Sequence, residues 1–561
     1  MSAGPRRPEL VMDGFGPRRP RWTELATSAD HKDVGRLLIT ASLGFLFIAL
    51  IELLLMRLQL AIPENTFLTP VGFNRMLSLY GATAISLFAI PLALGFLYYV
   101  TPLQIGARGT ALPRLGQVGA WLYLAGATVL YAGLLYTPSE AGVNPLAPLT
   151  EPAFLPNNGV DAWAAATGLS TLGFVLLAID LVATLRTRRA PGMAWRRLPV
   201  FSWAAAICAW LLLVIGPVML AAVTMLLIDR NFDGVFFSGA AGGAPLLWQH
   251  LSWIFYTGTY MLVLIFALGA IAEIVPASAR KPLFNRGATI GSLGAIAAIG
   301  TLAWTQNMMT APIGIGWMHY AMVMSLALIV PLGLVLFNLI STLVGGAARL
   351  RAPLLFAAGA LSAISIGLAA EISHSMIAGA WRLQHTTDST AATHFALVGG
   401  AVFGGFAALH WWFPKMTGRT MGESLARVSF WTMALGTLLA FTPLFLAGGV
   451  EGQVIDAYKF FDATGVTAYN LIATIGAFVL AAGIVMTLVN AILSRNAGPE
   501  AGHDPWGGDS LEWLALSPPD PHNFDVLPDV RSARPMRDIR EAVAHSTGRA
   551  QRRGRESQPV A

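Results

Sequence analysis

Twelve apolar stretches, at about 37–60, 75–101, 117–137, 163–186, 201–228, 246–276, 287–309, 317–344, 354–379, 391–413, 427–448 and 467–494, run through the chain. Each is long enough to cross a hydrocarbon layer about 30 Å thick. Inside lipid the backbone must satisfy its own hydrogen bonds, so stretches of this length are helices; a barrel would show short alternating strands instead. The predicted fold class is therefore all-α, a polytopic membrane bundle of twelve transmembrane helices. The composition agrees: 55% of the 561 residues are hydrophobic and 12% charged, against about 25% charged in soluble chains. The single Cys208 lies inside an apolar stretch, which excludes a disulfide framework, a CxxCH haem attachment and a thiolate metal site within this chain. The 57 glycines suit close helix approach in a membrane.

The connections alternate in charge. One set carries Arg108 and Arg114, then Arg186, Arg188, Arg189, Arg196 and Arg197, then Arg280, Lys281 and Arg286, then Arg349 and Arg351, then Lys415 and Arg419. The other is poor in Lys and Arg and holds Glu140, Glu151, Asp161, Asp233, Glu451 and Asp456. By the positive-inside rule the first set and both termini are cytoplasmic. Three regions follow: a cytoplasmic arm at 1–36, the twelve-helix domain at 37–495, and a polar cytoplasmic tail at 496–561 that ends in Arg549, Arg552, Arg553 and Arg555. The arm lacks the short apolar core and cleavage site of a signal peptide. The net charge of +6 reads as topology-setting loops and a solvated tail that meets anionic lipid, not as a nucleic-acid surface.

Several blocks carry a family resemblance. They are ADHKDVGRLL (29–38), YYVTPLQIGARGTALPR (98–114), RAPGMAWRRLPVFSW (189–203), MLLIDRNFDGVFF (225–237), WQHLSW (248–253), HWWFPKMTGR (410–419), DPWGGDSLEW (504–513) and SPPDPHNFDVLP (517–528). In this order they resemble subunit I of the heme-copper oxidases, the cytochrome c oxidase type in particular. The resemblance implies one helix bundle holding two haems and a copper, with six histidines as ligands. Imidazole suits that task because it is neutral at working pH and binds iron and copper well.

Ungapped extension from the matching blocks locates those six positions. The low-spin haem histidine of span 2 falls on Tyr80. The copper histidine of span 6 falls on Thr257, and the proton-transfer carboxylate beside it on Thr259. The adjacent copper histidines of span 7 fall on Gln306 and Asn307. On span 10 the high-spin haem position is Ala392 and the low-spin one is His394. One histidine of six remains. The proton-uptake aspartate falls on Gly109, the channel lysine on Val335, and the propionate arginines near Gly452 and Gln453.

Some chemistry survives at the end of the spans opposite the termini, where His250, His319, His374, His385 and His394 gather. Glu371 and His374, at i and i+3, share one helix face. Ionisable residues in a span cost roughly 2.5–3.5 kcal/mol, so a partner or a function is expected. Together with His394 they could form a metal site or a proton relay. The simpler expectation is an internal hydrogen-bonded or snorkelling pair, since ExxH alone is a weak pattern. Tyr80 with His394 is a formal haem-ligand pair, because tyrosine can ligate haem iron. His250 is expected to be a hydrogen-bonded interface residue, and Met308 and Met309 to fill core volume.

Three functions follow from these expectations. The first is a degenerate subunit I homologue, a non-catalytic structural or regulatory part of an oxidase-like respiratory complex with subunit II-like and subunit III-like membrane partners. The second is an active terminal oxidase subunit, reducing oxygen with electrons from cytochrome c or quinol and moving protons. The third is a repurposed protein with a single haem on His394, or a metal between spans 9 and 10. The cofactor expectation is at most one haem, at His394, and copper is not expected. Space left by missing haems should show as bulky side chains or as a large pocket between spans 2, 6, 7 and 10. The predicted location is a bacterial-type inner membrane.

Overall fold

A computed structural model describes residues 27–143, 145–527 and 529–544. Most of the basic arm, Arg6 to Arg21 included, and the basic end from Arg549 to Arg555 lie outside the described residues. Among the described residues there are twelve helices long and apolar enough to cross a membrane. They are α1 (His31–Gln59), α2 (Pro70–Gln104), α3 (Pro113–Leu135), α4 (Gly159–Thr187), α5 (Val200–Asn231), α6 (Pro245–Ala279), α7 (Arg286–Met308), α8 (Ile315–Leu343), α9 (Ala352–Ser375), α10 (Thr387–Thr417), α11 (Glu423–Gly449) and α12 (Thr467–Ala497). Each coincides with one predicted span, and the described residues contain isolated β-bridges but no strand.

Sequence neighbours pack as neighbours: α3 on α4, α4 on α5, α5 on α6 and α11 on α12, while α12 returns to α1. The most apolar stretch of α2 is 94% buried and that of α10 is 78% buried, whereas those of α3, α7 and α8 are 33% buried. The first pair therefore forms the centre of the bundle and the second group its rim. Glycines on α10 allow that centre to close. A Cβ on Gly404 would stand 2.6 Å from Ala267 Cβ on α6, and one on Gly405 would stand 2.6 Å from Leu92 Cδ2 on α2. Small residues thus bring backbones together, as is usual between membrane helices.

Both central helices contain a π-helical turn, Thr83–Ala89 in α2 and Val398–Gly404 in α10. Such turns insert a residue into the α-helix and occur often at functional sites. One begins three residues after Tyr80, the other four after His394.

Two boundaries differ from the apolar pattern. Helix α1 starts at His31, ahead of residue 37, because Asp30 caps it: its carboxylate accepts from Lys32 N at 2.9 Å. Lys32 is shielded in turn, donating to Asp30 at 2.7 Å and to Asn523 Oδ1 at 2.9 Å. The tail is also not simply solvated. Its described part folds back on the face that holds both described chain ends, burying Leu511, Trp513 and Val530. Lys415 of α10, fully buried, donates to Ala515 O at 2.7 Å and to Ser517 Oγ at 2.8 Å. Glu512, also fully buried, accepts from Gln104 Nε2 at 3.1 Å, and Gln104 Oε1 accepts from Ser202 Oγ at 2.8 Å. Burial raises the Glu512 carboxyl above its ordinary range. A polar composition concealed this docking because tryptophans and a few buried polar pairs carry it.

Candidate functional site

The six positions that the family resemblance singles out lie toward the face opposite the chain ends. They come from α2, α6, α7 and α10, and the structure sorts them into two groups.

The first group joins α2 to α10. Tyr80 Oη and His394 Nε2 are 2.9 Å apart, a hydrogen bond, and the two rings are parallel within 2°. His394 Nδ1 is bonded to Thr390 O at 2.8 Å, and the imidazole stacks on Phe441 with centroids 5.0 Å apart. Both nitrogens of His394 are therefore taken within the chain. Tyr80 and His394, located from independently extended blocks, thus meet at one point. An iron does not fit between them: two axial donors on one metal stand about 4 Å apart, twice a metal–imidazole bond of about 2 Å. A porphyrin plane would also have to occupy the gap that the hydrogen bond closes.

Beside this pair stand two charged residues that sequence reasoning passed over. Glu52 on α1 is 5% exposed, and its Oε1 accepts from Tyr131 Oη at 2.9 Å. Thr83 Oγ1 and Tyr131 Oη are 2.6 Å apart. Arg57, one and a half turns further on, donates to Asn470 O at 2.9 Å, and Asn470 Nδ2 donates to Gln453 Oε1 at 2.9 Å. Arg57 and Asn470 thus lie against Gln453, one of the expected propionate-arginine positions. Both charges were visible as ionisable residues in the apolar run IELLLMR, and such residues mark a site by default.

The second group spans α6 to α10. Asn307 Nδ2 donates to Thr257 Oγ1 at 3.2 Å, so two expected copper positions bond to each other. Gln306 Nε2 donates to Glu371 Oε2 at 2.9 Å, while Gln306 Oε1 accepts from Ser325 Oγ at 2.6 Å. Thr259 donates to Phe255 O at 2.8 Å, and Ala392 is buried without any donor atom. Amides and hydroxyls that already satisfy one another make a poor copper set beside imidazole or thiolate.

Glu371 does meet His374, their nearest atoms 3.9 Å apart, but the expected third member is elsewhere. His394 is committed to Tyr80 and Thr390, and Asp388 takes its place, with Oδ1 at 2.8 Å from His374 Nε2. The proposed grouping of Glu371, His374 and His394 is corrected accordingly. Asp388 escaped notice because it opens α10 across a loop and a short helix, Ile377–Leu383. Among the described residues no three His, Cys, Asp or Glu side chains gather in a way that could hold a metal ion. The other histidines are engaged as well: His250 Nδ1 accepts from Trp304 Nε1 at 3.0 Å, and His385 Nε2 is 2.8 Å from Thr310 Oγ1. Met308 and Met309 are fully buried.

Between α2 and α10 the space is taken up by the Tyr80–His394 contact and by the Phe441 ring stacked on the imidazole. A groove of about 470 Å³ opens at a different place, between Trp304, Ile313 and Trp317 on α7 and α8.

Twelve spanning helices packed around α2 and α10 define a polytopic membrane protein. Residues 33–479 match the family model described as Cytochrome C and Quinol oxidase polypeptide I. The chain belongs to that family, the subunit I proteins of heme-copper oxidases. It is 36% identical over 552 residues to a Nocardia farcinica protein named "Probable cytochrome c oxidase subunit 1-beta", covering 95% of this chain and 92% of that one. It is 35% identical to the "Heme-copper oxidase subunit I+III" of Aeropyrum pernix, covering 91% of this chain and 62% of that longer protein. A cryo-EM structure of a heme-copper terminal oxidase dimer superposes with a TM-score of 0.68 over 85% of this chain and 84% of that one; at 15% identity it shows the fold alone.

Proposed function

We propose that this chain is a non-catalytic member of its family, a structural or regulatory component of an oxidase-like respiratory complex. The carrying observation is the Tyr80–His394 hydrogen bond of 2.9 Å, which takes up the space of an iron between the two low-spin haem positions. The pairs Asn307–Thr257 and Gln306–Glu371 support the same reading at the copper positions. The retained scaffold and docked tail would serve assembly. Partners of subunit II and subunit III type fit this role, and a relative whose name joins subunits I and III supports the latter. The chain would sit in a bacterial inner membrane with both termini cytoplasmic.

A second reading, an active terminal oxidase subunit, is favoured by the names of the relatives. One experiment separates the two: purify the chain with its neighbours, record a reduced-minus-oxidised spectrum, and assay iron and copper per chain. No haem and no copper is the expected result. Two haems and a copper would overturn the non-catalytic reading, and one haem lost on His394→Ala would replace it with a single-haem redox protein.

A further inference from the structure

The connection from α2 to α3 and the end of α4 lie side by side, on the face that holds both described chain ends. Ala190 N donates to Ile105 O at 2.8 Å, Ala111 N to Thr184 Oγ1 at 2.9 Å, and Leu112 N to Asp180 Oδ1 at 2.6 Å. Residues 105–112 therefore run antiparallel to 180–190, and three arginines gather around the contact of Ala111 with Thr184. Arg108 and Arg114 each stand three residues from Ala111, within about 11 Å of it along the chain. Arg188 stands four residues past Thr184, one helical turn above it on the same face, and its N–H donates to Thr184 O at 2.9 Å. All three arginines are exposed.

Like charges gathered in this way repel, and an anion between them is favoured. The chain does not supply one. Among the described residues the side chains of Arg108 and Arg188 donate to no acceptor, and that of Arg114 reaches only Gln117 Oε1, at 3.5 Å. Asp180, the carboxylate nearest the centre, is fully buried and faces inward, accepting from Tyr98 Oη, Leu112 N and Thr184 Oγ1. Asp525 follows closely on Asn523, whose amide donates to Ala107 O at 2.8 Å, yet neither it nor Asp529 forms an ion pair among the described residues. Other basic residues of this face are paired: Arg427 with Glu423, and Arg540 with Asp504 and Asp509.

We propose that Arg108, Arg114 and Arg188 bind the phosphate of an anionic phospholipid. Guanidinium groups match phosphate oxygens with paired N–H donors, and basic clusters at the ends of membrane helices take anionic headgroups. The surroundings favour a lipid over a free anion. Arg186 lies with its Cζ 5.1 Å from the ring centre of Trp210, which is 46% exposed. An arginine stacked on an exposed tryptophan at the end of a span sits at headgroup level. On α3, Val118 is exposed one turn below Arg114, and Leu112 is exposed beside it, so an apolar surface for an acyl chain adjoins the charges. The charge pattern of the loops assigns this lipid to the cytoplasmic leaflet. The site adjoins Gly109, where the family resemblance puts a proton-uptake aspartate, and it is independent of whether the chain is catalytic.

The test uses the full chain, stripped of lipid in a neutral detergent and titrated with a fluorescent phosphatidylglycerol whose anisotropy reports binding. Phosphatidylcholine with the same chains is the reference. One saturable phosphatidylglycerol per chain is expected, at least about tenfold tighter than phosphatidylcholine. Arg108→Gln, Arg114→Gln and Arg188→Gln should each weaken it about fivefold, and the triple variant should lose most of the preference. Arg349→Gln, between α8 and α9 on the same face, should leave binding unchanged, while helical circular dichroism reports the fold of each variant. Millimolar inorganic phosphate should fail to displace the lipid. Equal affinity of the parent chain for the two lipids, or undiminished phosphatidylglycerol binding in the folded triple variant, overturns the proposal. Displacement by inorganic phosphate also overturns it and reassigns the arginines to a free anion.

Discussion

Tyr80 on α2 and His394 on α10 are hydrogen-bonded at 2.9 Å with their rings parallel within 2°. The pair clips together the two most buried helices of the bundle and sits just ahead of a π-helical turn in each. Its energetic weight can be measured. Tyr80→Phe removes the hydroxyl and leaves His394 Nε2 unpaired in a dry interior. The expected loss is about 1 kcal/mol, between the ~0.6 kcal/mol typical of interhelical bonds in membranes and the ~1–3 kcal/mol of a stranded buried group. Unfolding in mixed detergent would measure it. In a double-mutant cycle with His394→Leu the losses should be less than additive; simple additivity would mean that the bond contributes nothing.

Gly404 should be the least tolerant glycine of α10. A methyl group there meets Ala267 Cβ at 2.6 Å, a clash between two short side chains that cannot swing away. Gly404→Ala should destabilise by about 1–3 kcal/mol, the usual range for overpacking. Gly44→Ala, where nothing lies within 4 Å, should be neutral or stabilising. Thermal aggregation of the two variants side by side is the check, and equal behaviour would argue against close approach at the centre.

Tail docking rests on Lys415. Its ammonium donates to Ala515 O, Leu516 O, His503 O and Ser517 Oγ, at 2.7, 3.3, 3.3 and 2.8 Å. Lys415→Met strands these acceptors at an expected cost of about 1–3 kcal/mol. Limited proteolysis should then cut the chain beyond residue 498 at least several-fold faster, with the helical core intact. An unchanged cleavage rate would show that Trp506 and Trp513 hold the tail without the lysine.

The same docking should depend on pH through Glu512. Burial raises its carboxyl above 4.5 in the folded chain, so the docked state holds the proton more tightly than the released one. Stability from this group is therefore fully present below about pH 4.5 and is lost as pH rises through the elevated value. Asp509, also raised by burial, adds in the same direction. Protease sensitivity of the tail should rise with pH across that window, and Glu512→Gln, which keeps the shape and stays neutral, should flatten the profile. A Gln variant that retains the full pH dependence would assign it to Asp509 or to other groups.

The apolar pattern alone was enough for the twelve helices, because in lipid a run of some 20 residues has one way to satisfy its backbone. Ungapped extension put Tyr80 and His394 at the two expected low-spin haem positions, and the structure brings their side chains together. Other features depend on three dimensions. Asp388 was invisible as the partner of His374 because nothing in a sequence joins the end of α9 to the first turn of α10. Glu52 and Arg57 stood in plain view inside an apolar run, yet Tyr131 and Asn470, which bond to them, come from helices far along the chain. The tail's polar composition predicted solvation, while burial of Glu512 and Lys415 is a property of the surface they meet. By itself the sequence determined which segments are long and apolar enough to cross the membrane. Only the tertiary structure decided what their side chains bond to, because hydrogen-bond partners across a bundle are set by how helices pack and not by their order in the chain.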